Sequence, residues 1–367
     1  MSIVVGAGRT RIEVRSLWFL LVYASEILDD LATPDREMLL SGEHDNDLLD
    51  AVGLILVRDV EKRLRSMLAP SYERKTEALT RVRGRINHLG TARQRLMDSG
   101  RVLCNYSRHT VDLPRYRYML VTIRLLAETT TSSELLESCA RVSQMIERRG
   151  VRPIDPSRTD LAREQYGRHD AVDKKLIRLC DLVRQMRLPE HSDGDVDVSV
   201  LQNDETAQHT LRNLFETAVR NFYRFHLKPE GYSVQARSRQ WANGAVSSDH
   251  NFLPTLDVDA LIRSNERQIV LECKFGPIFE QPRSFGAAAL ARQPKLKAGY
   301  VRQIFTYCEV FGSDALPTEG VVLAAKVSDS PGRDLDLQLG QWPVRIREID
   351  LKATPSDIRT ALLSALD

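Results

Sequence analysis

Apolar residues recur at helical spacing through the first half of the chain. Between residues 47 and 69, Leu48, Val52, Ile55, Leu56, Val60 and Leu64 fall on one face of a 3.6-residue repeat, which predicts an amphipathic helix. The same reading predicts helices over 12–31, 115–128, 134–149 and 170–187. Residues 77–106 break the pattern. Strand-like pieces at 79–86 and 102–106, separated by Gly84, Gly90 and Gly100, predict a small β element projecting from the helices. The polar stretch 191–195, after Pro189 and containing Gly194, reads as a linker and puts a domain boundary near residue 195. Beyond it come a helix at 205–226, a strand at 232–236, two apolar strands within 256–274, a helix at 297–311 and a strand at 320–326. A last strand, 344–349, leads into a helix that opens with Thr354 as N-cap, Pro355 at the first helical position and Asp357 closing a capping box. The expected fold class is mixed α/β: a helical domain over 1–195 that carries the β element, then an αβββαβ domain over 196–367.

The pair of strands in that second domain holds the most informative chemistry. Residues 256–263 and 268–274 flank Ser264-Asn265-Glu266-Arg267, so a hairpin is expected. With a two- or four-residue loop centred on Asn265-Glu266, Arg263 faces Gln268. The same register puts Asp259 opposite Glu272 and Asp257 opposite Lys274, all on one face. Two carboxylates about 5 Å apart repel unless a cation lies between them. Glu272 and Lys274 project the same way at roughly 6.6 Å, room for an ammonium beside a metal-bound water. This is the equipment of a phosphodiesterase. The competing reading is an exposed hairpin face with ordinary charge pairs.

Spacing alone decides nothing, because acid-x-Lys also occurs at Glu73-Arg74-Lys75, Asp173-Lys174-Lys175 and Asp350-Leu351-Lys352. Only 272–274 combines an apolar lead-in with a second strand bringing another acid. Cys273 points the opposite way and reads as core. Glu216, on the helix before the strands, is either a further site acid or an ordinary helix-surface acid. Gln303 and Tyr307, one helical turn apart, share a face that could aim at the site.

Charge changes the picture for the first domain. The formal net charge is only +2, yet 26–61 holds eleven acids against Arg36 and Arg58, while 81–124 holds ten arginines, no lysine, and only Asp98 and Asp112. Arginine's planar fork suits phosphate and carboxylate, so Arg81, Arg83 and Arg85 are candidates for contact with nucleic acid, nucleotide or an acidic partner; the alternative is a solvated face. Five scattered cysteines without a CxxC pair suggest neither a disulfide framework nor a zinc site and suit a reducing cytoplasm. The longest apolar run, 17–24, is too short to span a bilayer and has no signal-like cleavage site after it, so it reads as a buried helix and no membrane partner is expected. GxxxxGK[ST], HExxH and GxSxG are all absent. Any NTPase must therefore be a partner, and zinc or serine hydrolase chemistry is unsupported.

The hairpin acids, Lys274, Gln303 and Tyr307 together resemble the PD-(D/E)xK nuclease pattern with the Gln-x-x-x-Tyr helix of its RecB-like branch. The likeness extends further. Arg11-Ile12-Glu13-Val14-Arg15-Ser16-Leu17-Trp18-Phe19-Leu20-Leu21-Val22-Tyr23-Ala24, Asn46-Asp47-Leu48-Leu49-Asp50, Arg83-Gly84-Arg85-Ile86 with Thr91-Ala92-Arg93, and Leu214-Phe215-Glu216 resemble the McrC family, in order from about 11 to 311. That resemblance implies a DNA endonuclease subunit that works with a McrB-like AAA+ GTPase ring, stimulates it, and acts on foreign DNA bearing methylated cytosine. It also implies Mg²⁺, or Mn²⁺ in its place, held by Asp259, Glu272 and the carbonyl of Cys273, with Lys274 positioning the attacking water. Pro254 lies five residues before Asp259, as in the family pattern, and so selects it over Asp257. A stand-alone nuclease acting in repair and a non-catalytic adaptor of an AAA+ partner are the alternatives.

Overall fold

The computed structural model describes residues 2–5, 10–66, 68, 70–167, 170–187, 205–241, 252–280, 294–313, 315–326 and 333–367. The expected linker at 191–195 lies outside them. Two compact units are present, one of residues 1–51 with 185–367 and one of residues 52–184. The expected division at 195 is thereby corrected, because the N-terminal segment is built into the C-terminal unit.

Strands β1 (Ser2–Val5) and β2 (Thr10–Glu13) pair antiparallel, so helix begins at Val14 and not at residue 12. Helices α1 (Val14–Ala24), α2 (Ile27–Asp30) and α3 (Thr33–Leu40) follow, the last of them not anticipated. Helix α1 is buried from Ser16 through Tyr23, and an element apolar on all sides needs cover on all sides. Within its unit that cover comes from residues far along the chain. Ser16 Oγ donates to the Ala353 carbonyl, Trp18 Nε1 to the Met186 carbonyl at 2.8 Å, and Tyr23 stacks edge-on against Phe222.

The unit of residues 52–184 holds most of α4 (Leu48–Arg65), then β3 (Ser71–Leu79), β4 (Arg85–Ile86), α5 (His88–Arg93) and β5 (Val102–Thr110). Four helices complete it: α6 (Pro114–Thr129), α7 (Ser133–Arg148), α8 (Arg158–Ala162) and α9 (Ala171–Arg187). The β element is a three-stranded sheet in the order β3-β5-β4. Its first strand ends at Leu79, where the sequence pattern placed a beginning. Gly84, at φ +68°, closes the approach to β4; a Cβ there would lie 2.5 Å from the Asn105 carbonyl oxygen, so the Arg-Gly-Arg segment needs its glycine. Among the helices of this unit Arg63 and Asp173 form a buried pair at 2.6 Å, joined by Tyr116 and Arg115.

The C-terminal αβββαβ order is present as expected. It comprises α10 (Glu205–Leu227), β6 (Ser233–Arg239), β7 (Leu256–Arg263), β8 (Gln268–Phe275), the short pair β9 (Phe279–Glu280) and β10 (Lys295–Leu296), α11 (Ala298–Phe311) and β11 (Thr318–Lys326). An unanticipated β12 (Leu335–Leu339) precedes β13 (Trp342–Asp350) and α12 (Pro355–Ser364), whose start has the expected Thr354 cap. Six strands form one sheet in the order β12-β13-β11-β8-β7-β6, with β11 parallel to both β8 and β13. Central strand β8 is thus paired on both edges, and its first six residues are buried. Ile304, Tyr307, Cys308 and Phe311 of α11 cover one face together with Val270, Val322 and Val344. On the other face Phe275 meets Phe215 of α10 ring to ring at 6.1 Å.

Candidate active site

The hairpin register holds where it was expected and then stops. A four-residue loop closes with Arg263 opposite Gln268, and pairing continues to Ala260 opposite Leu271. The ladder ends one position short of Asp259. On its other edge β7 advances three residues, Val258 to Leu261, while β6 advances two, Arg237 to Gln235, so β7 carries one extra residue around Asp259-Ala260. Such a bulge re-aims side chains. Leu256 and Val258 consequently share a core with Val270 and Ile304. Asp257, expected on the face of Glu272 and Lys274, is turned away; it is exposed and accepts a hydrogen bond from Thr255 Oγ1.

Asp259 occupies the place where the strands part. Its Oδ2 accepts the Cys273 backbone N–H at 2.7 Å, a donor left free by the end of the ladder. Arg220 of α10 donates to the Asp259 carbonyl at 3.2 Å and ties down the bulge. Glu272 is 5% exposed. Its Oε1 accepts from Lys274 Nζ at 2.5 Å and from Gln303 Nε2 at 2.8 Å, whereas Oε2 is buried with no hydrogen-bond partner among the described residues. Gln303 uses its whole amide, its oxygen accepting from Lys274 Nζ at 2.8 Å and its nitrogen donating to Glu272 and to Tyr307 Oη. One helical turn of α11 thereby orients both the carboxylate and the ammonium.

The electrostatics mark the site as strained for charge. Burial, then repulsion from Asp259, pushes the Glu272 carboxyl up to about 7. Glu216, half-buried on α10, is pushed to about 7 by burial and then by repulsion from Asp259. Burial also raises Asp259, against the opposing hydrogen bond from Cys273 and the attraction of Lys274. The Cys273 side chain is buried, as expected, and burial drives its thiol pKa well up. Among the described residues no group of three or more His, Cys, Asp and Glu is assembled as a ligand set. The donor set on offer is two carboxylates with one orphaned buried oxygen, a chemistry that fits a hard divalent cation.

Two contacts were missed by sequence reasoning, although both lie one helical turn from a residue already singled out. Arg220 follows Glu216 by four positions on α10, and Tyr300 precedes Gln303 by three on α11, with its ring centroid 4.9 Å from Lys274 Nζ. The other acid-x-Lys segments lack such surroundings. Glu73 and Lys75 lie on β3 opposite Arg108 and Tyr106, with no acid across from them, and Asp173 is on a helix. Arg81, Arg83 and Arg85 belong to the other unit, where all three are exposed and the Arg83 guanidinium lies 4.4 Å from the centre of the Tyr106 ring. Val82, Leu89 and Met97 are exposed on the same element. No helix among the described residues is long and apolar enough to cross a membrane.

Comparison with known proteins gives this arrangement a family. The chain is 22% identical over 271 residues to the type IV methyl-directed restriction enzyme EcoKMcrBC of Escherichia coli (strain K12), covering 72% of this chain and 73% of that protein. Among solved structures it aligns with a refined half-complex from a tetradecameric assembly of Thermococcus gammatolerans McrB AAA+ hexamers with bound McrC. That alignment has a TM-score of 0.44 and 13% identity over 95% of this chain and 76% of that one. The cryo-EM structure of the Thermococcus gammatolerans McrBC complex aligns at a TM-score of 0.35 and 10% identity, over 59% of this chain and 70% of that chain. A family model described as McrBC 5-methylcytosine restriction system component matches residues 7–316, well over half of the sequence, and the chain belongs to that family.

Proposed function

We propose that this chain is the metal-dependent DNA endonuclease subunit of an McrBC-type system, a PD-(D/E)xK hydrolase that cuts foreign DNA carrying methylated cytosine together with an McrB-like AAA+ GTPase ring. The observation that carries this reading is the orphaned Glu272 Oε2, buried beside Asp259 in a fold where Gln303 orients both Glu272 and Lys274. A purely structural ion pair needs no second acid and leaves no buried oxygen unsatisfied. Asp259 and Glu272, with the Cys273 carbonyl, would hold Mg²⁺ or Mn²⁺, which when bound supplies charge neutralisation at a phosphate and a more acidic water. Lys274 keeps one N–H beyond those given to Glu272 and Gln303, and uses it to hold the attacking water or to offset charge on the scissile phosphate. Tyr307 locks Gln303, and Glu216 adds negative charge on the α10 side. An adaptor without catalysis has no use for this wiring.

The exposed Arg81, Arg83 and Arg85, among the exposed apolar Val82, Leu89 and Met97, suit association with the GTPase partner and its stimulation. The test of the nuclease reading is nicking of methylated supercoiled plasmid with Mg²⁺, GTP and the cognate partner. Asp259→Ala, Glu272→Ala and Lys274→Ala are each expected to abolish cleavage in chains that remain folded. Full activity in Lys274→Ala would sink the assignment.

A further inference from the structure

The Lys274 ammonium has a neighbour that the nuclease reading leaves unused. Two of its N–H groups go to Glu272 Oε1 at 2.5 Å and Gln303 Oε1 at 2.8 Å. The face of the Tyr300 ring lies 4.9 Å away from centroid to nitrogen, within the reach of a cation–π contact. Tyr300 lies in the first turn of α11, where its backbone N–H donates to the Lys297 carbonyl, and it precedes Gln303 by three residues, so one helix face presents both groups. The ring is also held by its surroundings. It lines an apolar cavity with Ile278, Leu296 and Ile304, and Lys297 Nζ sits 5.5 Å from the same ring.

We propose that Tyr300 is a positioning residue for Lys274. Its π face supports the ammonium without consuming an N–H, so Lys274 can be held on three sides while its third N–H stays available for water or phosphate. A carboxylate in place of the ring would support the charge too, but would accept that third N–H. The inference rests on the nuclease reading for its catalytic consequence and on geometry alone for the contact.

The test replaces Tyr300 in the full-length chain with Phe, Leu, 4-fluoro-Phe, 3,5-difluoro-Phe and pentafluoro-Phe, and measures single-turnover plasmid cleavage with partner, GTP and saturating Mg²⁺. Phe should stay within about twofold of wild type. Fluorination drains and finally reverses the ring quadrupole at nearly constant shape, so the rate should fall stepwise, reaching roughly three- to thirty-fold for pentafluoro-Phe and for Leu. DNA affinity in Ca²⁺ should not change. Equal rates for Phe and pentafluoro-Phe would overturn the proposal, because packing alone does not sense ring charge. Independently of cleavage, lysine labelled with ¹³C at Cε should show a Lys274 resonance, identified by its absence in Lys274→Met and so told apart from that of Lys297 beside the same ring, shifted upfield in wild type and Tyr300→Phe and unshifted in Tyr300→Leu. Missing that shift in wild type refutes the contact even in a protein that cuts; a wild type that shows it but never cuts refutes the nuclease reading and leaves Lys274 no reaction to be positioned for.

Discussion

Replacing Glu272 with glutamine should stabilise the metal-free protein at pH 8 and do nothing to its stability near pH 4.5. In the folded chain burial and the charge of Asp259 outweigh the attraction of Lys274 and raise this carboxyl from 4.5 to about 7. A carboxyl that holds its proton more tightly when folded loses stability for the fold as pH rises from 4.5 through 7, and the whole deficit stands above 7. At about 1.4 kcal/mol for each pH unit of displacement, that deficit is roughly 3 kcal/mol. Repulsion shared with Asp259 and Glu216 means one substitution recovers only part of it, so about 2 kcal/mol is expected at pH 8. Glutamine keeps an acceptor oxygen for Lys274 and Gln303 and removes only the charge. Urea unfolding in EDTA checks this: the Glu272→Gln midpoint should exceed wild type by roughly 1 M at pH 8 and match it at pH 4.5. Mg²⁺ should then raise the wild-type midpoint and leave the variant almost unmoved, since only the former has a charge cluster for a cation to relieve. A variant equal to or less stable than wild type at pH 8 refutes the reasoning.

The remaining predictions concern other parts of the chain. Asp257→Asn should retain plasmid cleavage within about threefold, because the bulge turns Asp257 away from the site; its loss would restore the flat register. Reversing Arg81, Arg83 and Arg85 to Glu should weaken association with the GTPase partner at least tenfold and reduce its stimulation, while Mg²⁺ binding stays unchanged. The triple change is needed because single exposed charges contribute about 1 kcal/mol or less, and assembly at wild-type affinity would make the cluster a solvated face. Isothermal titration should detect no GTP or ATP binding to the chain alone, which carries no phosphate-cradling loop. Asp173→Ala should cost about 3–5 kcal/mol in denaturant unfolding, because it removes the fully buried carboxylate that Arg63, Tyr116 and Arg115 all meet. A loss under 1 kcal/mol would show that water replaces the carboxylate.

What could be read from the chain was what neighbouring residues decide. Helices α4, α6, α7, α9, α10 and α11 follow the 3.6-residue apolar repeat, and α12 opens on a cap of three local residues. The four-residue loop at Ser264–Arg267 fixes Arg263 opposite Gln268, so Glu272, Lys274 and the Gln303-Tyr307 turn were legible as one constellation. The bulge was not. Leu256, Val258, Ala260 and Ile262 alternate without a break, yet the face they occupy changes at Asp259; helices cover both faces of this sheet, so apolar side chains suit either one and the pattern carries no trace of the switch. Strand β3 escaped for a related reason, since from Arg74 onward none of its side chains is fully buried and so no apolar alternation is demanded of it. Membership of α1 in the C-terminal unit was likewise hidden, because an all-apolar helix states that it must be covered but not by what. Only the tertiary structure supplied Phe222, Met186 and Ala353, residues more than 160 positions away. The same holds for Tyr300 and Arg220: each lies one helical turn from a candidate residue, but whether a side chain reaches a charge depends on how helix and sheet pack, and that is settled by long-range contacts no local window contains.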